Sequence, residues 1–205
     1  FPATALLRAM GYSTDADIFR IFYEVGSAKV NEVDETGRRT LEGRVIAEEL
    51  VDPETGEVIV EDADEIDEEV LEILEQMKRK KVKVYQNTKQ SLRGDSPLIK
   101  NTIKKDPTES EEDALHAIYS LLRPGEAPNV ETARTALDRV FFNPKRYDLG
   151  RVGRYKINQR LGVDAPRTMT VLTQEDFVAI IRFLIDLNEG RGFTDDIDHL
   201  GNRRI

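Results

Sequence analysis

The pattern of this chain switches near residue 28 and again near residue 96, and those two switches narrow the architectures open to it. Before the first switch, PATALLRAMGY reads as a short helix stopped at Gly11. STDADIFRIFYEVG reads as a second, begun by Ser13 or Thr14, with Ile18, Ile21, Phe22 and Val25 spaced as one apolar stripe. Thr14 and Asp17 have the spacing of a capping box. Between the switches the chain is acidic, turn-rich and patterned for strands. Two helical parts around such a segment predict an α+β fold: a mainly helical domain, residues 1–27 and 96–205, interrupted by a small acidic β-rich insertion, 28–95, with one helix.

Within the insertion, GRVIAEELVDPETGEVIV predicts a hairpin, because Pro53 presets φ and Gly56 accepts a positive φ in the turn between two apolar runs. Asp67 can then cap a helix with Val70, Leu74 and Met77 on one face, and VKVY supplies a further strand. Acids open that helix, and Lys78, Arg79, Lys80 and Lys81 close it. This order suits the helix dipole, which is preferred here to a basic binding site.

Helical spacing returns afterwards. Ser110 precedes EEDALHAIYSLL, where Leu115, Ile118, Tyr119 and Leu122 share a face, and RPGEAP breaks the chain at 123–128. Asn129 caps the next helix, with Val130, Ala133, Leu137, Val140 and Phe141 inward. Thr173 and Asp176 open the last, with Phe177, Ile180, Ile181, Leu184 and Leu187 as its stripe. His116 reads as an ordinary helix residue, with no second ligand a turn away.

Charge is unevenly placed. Residues 42–75 hold fifteen acids against one arginine, whereas 145–167 hold seven Lys or Arg against two Asp, in a chain of net charge -9. Screening confines each patch to about 8 Å, so an acidic chain can still offer a basic face to an anion. The absence of cysteine excludes disulfides, thiolate zinc sites and cysteine nucleophiles. No apolar run approaches the roughly 20 residues needed to span a bilayer, which argues against a membrane role and fits a cytoplasmic protein. The start at Phe1 and the stop within DDIDHLGNRRI suggest a piece of a longer polypeptide.

Asp195, Asp196, Asp198 and His199 form a cluster that could offer oxygen ligands to magnesium or calcium, but its spacing fits no calcium loop, and pairing with arginines such as Arg203 and Arg204 is the plainer expectation. No phosphate loop, GxSxG or zinc spacing is present, so neither a catalytic centre nor a cofactor is expected. In the basic stretch Arg146, Arg151, Arg154, Lys156 and Arg160 alternate with Tyr147 and Tyr155. Either the guanidinium groups meet phosphates while the rings stack, or the stretch is a solvated helix face; charge alone chooses neither, nor nucleic acid over protein.

Four motifs in order, PATALLRAMGY, RPGEAP, FFNPKRYDLGRVGRYKIN and DDIDHLGNRRI, resemble the β subunit of bacterial RNA polymerase in the stretch forming its lobe, the β2 region. The resemblance covers 1–27 and about 96–205. Residues 28–95 occupy the place of a lineage-variable insertion, and the hairpin around DPETGEVI resembles its sandwich-barrel hybrid modules. The resemblance implies a lobe beside the DNA cleft, with downstream duplex and non-template strand, other polymerase subunits and sigma factor as partners, and with the catalytic aspartates in another subunit. It further implies that Asp198 and Arg203 belong to a pocket for a non-template guanine, and that Arg123 and Arg146 lie close to that strand. An alternative role is a protein-interaction module whose acidic insertion docks a regulator or polymerase subunit. A hydrolase built on the aspartate cluster is a more distant one.

Overall fold

The computed structural model describes residues 1–86, 98–126 and 129–196, which form two compact units: Phe1–Ser13 with Lys100–Ile205, and Thr14–Ile99. The composition change places boundaries at 27/28 and 95/96, while the units meet at Ser13/Thr14 and Ile99/Lys100.

The second unit begins with α2 (Asp15–Phe22), opened by the Thr14–Asp17 capping box. The expected continuation of this helix to residue 26 does not occur: Tyr23 is extended, and β1 (Glu24–Lys29) follows at once. β1 pairs antiparallel with β4 (Lys81–Gln86), Lys29 opposite Lys81 and Val25 opposite Tyr85, so Val25 is half exposed and leaves the helical stripe. Phe19 stacks on Tyr85 with ring centroids 5.2 Å apart, and Asp62 accepts hydrogen bonds from Arg20 of α2 at 2.5 Å and from the Tyr85 hydroxyl at 2.9 Å. Ile46 bridges Val84 on the other edge of β4.

The hairpin stands where the turn chemistry puts it, as β2 (Leu50–Val51) and β3 (Val58–Val60), with Gly56 at φ 75°. α3 (Glu68–Gln76) is capped by Asp67, whose carboxylate accepts from the Val70 N–H at 2.9 Å. Val70, Leu71 and Leu74 of α3 pack with Val30, Leu41, Ile46, Leu50, Val60, Ile66, Val82 and Val84 into an entirely aliphatic core. The basic run was expected to complement the dipole of α3. The helix instead ends at Gln76 with no basic residue in its last turn, and Lys81 already belongs to β4.

In the first unit α1 (Ala3–Ala9) packs on α5 (Glu111–Leu122), and α5 on α6 (Val130–Phe141), around Ala9, Ala114, Leu115, Ile118, Tyr119, Ala133 and Leu137. Thr4 and Arg8 of α1 engage Asp106 in the loop beyond α4 (Leu98–Ile103), Thr4 by a hydrogen bond and Arg8 at 3.8 Å. Ser110 and Asn129 cap as expected. α7 (Gly150–Leu161) and α8 (Gln174–Asn188) form a further pair, and Phe177 at the start of α8 meets the rings of Phe141 and Phe142. Gly162 closes α7 with a φ of 69°, a conformation costly for any residue with a Cβ.

Candidate nucleic-acid interface

The basic stretch separates into buried and exposed cations. Arg154, on the inner side of α7, is fully buried. Its Nη1 donates to Asp176 Oδ1 at 2.7 Å, its Nε to the Met169 carbonyl at 2.8 Å and its Nη2 to the Val171 carbonyl. The other Asp176 oxygen accepts from the Thr173 N–H at 2.8 Å, so the carboxylate that completes the capping box of α8 also receives the guanidinium from α7. An isolated buried charge would be prohibitive; here every face of the guanidinium has an acceptor. Arg154 is a clamp between helices and is withdrawn from the phosphate-binding set. The signal in the sequence was Asp176 itself, a capping carboxylate with an oxygen to spare.

Arg160 is also committed within the fold. Its guanidinium carbon lies 4.7 Å from the Phe183 ring centroid and 4.4 Å from that of Phe193, while Nη2 donates to the Phe193 carbonyl at 2.5 Å and stands 3.2 Å from Asp195. Asp195 therefore pairs with an arginine among the described residues, Arg160. Among the described residues no group of three or more His, Cys, Asp or Glu is placed to hold a metal ion. Tyr155, expected to offer its ring to a base, is half exposed and already carries Arg167 at 4.9 Å.

Of the rest, Lys156 is half-buried on α7, and Lys145, Arg146 and Arg151 are exposed, with no ion pair among the described residues. Asn143 builds the turn that presents the first two, while Arg151 stands in the first turn of α7: the Asn143 side chain accepts from the Lys145 N–H at 2.9 Å, and its carbonyl accepts from the Arg146 and Tyr147 N–H groups, both at 2.9 Å. The Asp148 carboxylate accepts from Gly150 at 2.8 Å as α7 begins, and the Leu149 N–H donates to Thr170 at 2.7 Å. The cations thus stand on a hydrogen-bonded support.

Arg123 occupies the C-cap of α5, its side chain more than half exposed and 3.5 Å from Glu126. Glu126 accepts a 2.5 Å hydrogen bond from the Tyr119 hydroxyl, which, with the nearby Arg123 charge, holds the carboxyl below its ordinary pKa. Arg123 borders a groove of about 440 Å³ between α5 and α6, together with Leu122, Arg139 and Val140. Arg139 escaped the sequence reading although Thr132, Thr135, Ala136, Arg139 and Val140 recur at helical spacing along the groove wall. Val140 and Leu122, expected inside, are half exposed. No hydrogen bond or shared carboxylate joins Arg123 to Arg146, and Asp198, His199, Arg203 and Arg204 lie outside the described residues.

Residues 64–205 match the family described as RNA polymerase Rpb2, domain 2, and the chain belongs to that family. Over its whole length it is similar to proteins named DNA-directed RNA polymerase subunit beta: 39% identical to that of Flavobacterium psychrophilum over 220 residues, 41% to that of Cytophaga hutchinsonii over 219, and 41% to that of Rhodopirellula baltica over 213. The chain spans 17% of the length of the first two and 16% of the third. No helix among the described residues is long and apolar enough to cross a membrane.

Proposed function

We propose that this chain is the lobe portion of the β subunit of a bacterial DNA-dependent RNA polymerase acting in the cytoplasm, in which the helical unit lines one side of the DNA cleft and the acidic unit is an insertion in it. Arg123 and Arg146 contact the backbone of the non-template strand, and Asp198 with Arg203 reads an unpaired guanine there. Other polymerase subunits and sigma factor complete the assembly, which as a whole polymerises nucleotides; this chain supplies no catalytic group.

Support comes above all from the division of the basic stretch. The fold consumes Arg154 and Arg160 but leaves Lys145 and Arg146 exposed on a hydrogen-bonded turn and Arg151 exposed at the start of α7, where all three can meet phosphates.

The test is the lifetime of promoter complexes formed by the complete polymerase. Arg146→Ala should shorten it for all sequences alike and lower the salt dependence by about one counterion. Asp198→Ala should remove a preference for guanine at one non-template position, worth about 1 to 3 kcal/mol. Unchanged lifetimes in Arg146→Ala and Arg123→Ala would remove the strand-contact assignment, and equal losses for all four bases in Asp198→Ala would reduce that residue to a structural role.

A further inference from the structure

Lys78, Lys80, Lys81 and Lys83 are exposed and make no ion pair among the described residues. A helix dipole acts on the last turn, and α3 has no base there; Lys78 turns the chain away at φ 51°. The tertiary structure adds a fifth cation from far along the chain. In the β1–β4 ribbon Lys29 stands directly opposite Lys81, and Ser27 opposite Lys83. All four face solvent, while Ala28, Val82 and Val84 on the reverse face pack into the aliphatic core.

Like charges directly opposed across an antiparallel pair oppose its formation. The strand rise puts Lys81 and Lys83 about 7 Å apart, and the strand spacing puts Lys29 about 5 Å away, so the three ammonium groups act as one patch within a screening length. The nearby Glu48 does not neutralise it, being held by Arg79 at 3.3 Å and by the Lys83 N–H at 2.8 Å.

The surroundings select the partner. A protein interface needs an apolar centre depleted of charge, and this face offers a single half-exposed apolar side chain, Val25, at its end. Single-stranded nucleic acid needs exposed rings for its bases, and Tyr85, the ring on this side of β4, is buried beneath Phe19. A flat array of lysines without either fits the phosphates of a double helix, bound without regard to sequence.

We propose that the ribbon face of Lys29, Lys81 and Lys83, flanked by Lys78 and Lys80, is a second, sequence-independent contact surface for the backbone of duplex DNA. The choice of DNA over another double helix rests on the function proposed above; the lysine patch does not.

The 205-residue chain titrated into a short labelled duplex of mixed sequence, with anisotropy read across a salt series, tests this. Lys29→Gln/Lys81→Gln/Lys83→Gln should weaken binding at least about tenfold at low salt and lower the slope of log affinity against log salt by about 2 to 3. The corresponding triple arginine variant should keep both. Arg123→Gln/Arg146→Gln is measured in parallel: a loss confined to the lysine variant supports the ribbon and counts against the arginine contacts, and a loss confined to the arginine variant does the reverse. The ribbon surface is overturned if the unaltered chain binds no duplex at low salt, or if the triple glutamine variant matches it in affinity and slope. Lysine-dependent capture of polyglutamate without capture of the duplex would equally overturn it, in favour of an acidic protein partner.

Discussion

The two units solve the problem of an interior in opposite ways. The unit from Thr14 to Ile99 carries the densest negative charge in the chain, yet the cluster packed around α3 is hydrocarbon throughout. The other unit has the helical stripes that promise an apolar core, yet it holds α7 to α8 through a fully buried Arg154–Asp176 pair and leaves Leu121, Leu122, Val140, Leu184 and Phe193 substantially exposed. Net charge therefore says little about what a segment buries. Acids on the outer positions of strands and of α3 coexist with full burial of the inner ones, because alternation, not composition, sorts the side chains.

This contrast can be broken by substitution, beginning with the clamp. Arg154→Ala leaves Asp176 buried without its cation and should cost the first unit about 3 to 5 kcal/mol, read as a fall in denaturation midpoint. An unchanged midpoint would mean that the pair is not what joins α7 to α8. Leu74→Ala in the aliphatic core should cost about 3 kcal/mol, felt only by the acidic unit in amide exchange. Matched loss of protection in α5 and α6 would show the units to unfold as one. Replacing Thr14–Ile99 by a short linker sharpens the point, since the remaining helices should still melt cooperatively.

A smaller effect follows from Tyr85. Burial, with its hydrogen bond to Asp62, pushes the phenol up to about 12. The neutral form is therefore favoured by folding relative to an unfolded value of about 10. This contribution is fully present below pH ~10 and disappears as pH rises to about 12, up to about 3 kcal/mol in all. Tyr85→Phe should flatten that alkaline decline, and tyrosinate absorbance should show a late-titrating ring in the parent that the variant lacks; a decline identical in both proteins would remove Tyr85 as its source. The smallest differences lie at the caps. Thr14→Ala should cost about 1 kcal/mol. Thr173→Ala should cost more than Thr14→Ala, because its partner Asp176 also receives Arg154. Equal losses would show that the clamp does not depend on the cap.

Helix starts were legible along the chain itself. Thr14, Asp67, Ser110, Asn129 and Thr173 all accept the backbone N–H expected of them, since a cap and its donor lie within three residues of each other. The hairpin at Pro53–Gly56 was legible for the same reason. What the tertiary structure alone decided depended on partners distant in sequence. Val25 has the spacing of the α2 stripe and yet lies in a strand, because β4, more than fifty residues on, offers the backbone of Glu24–Lys29 a ladder. Arg154 and Arg146 look alike in the basic stretch, and only the arrival of Asp176 from α8 buries one while the other stays in solvent. Lys29 meets Lys81 by the same strand pairing. Local signals are settled by backbone geometry over a few residues, whereas the fate of a charged side chain is set by whichever acceptor or cation the fold brings to within a few ångströms of it.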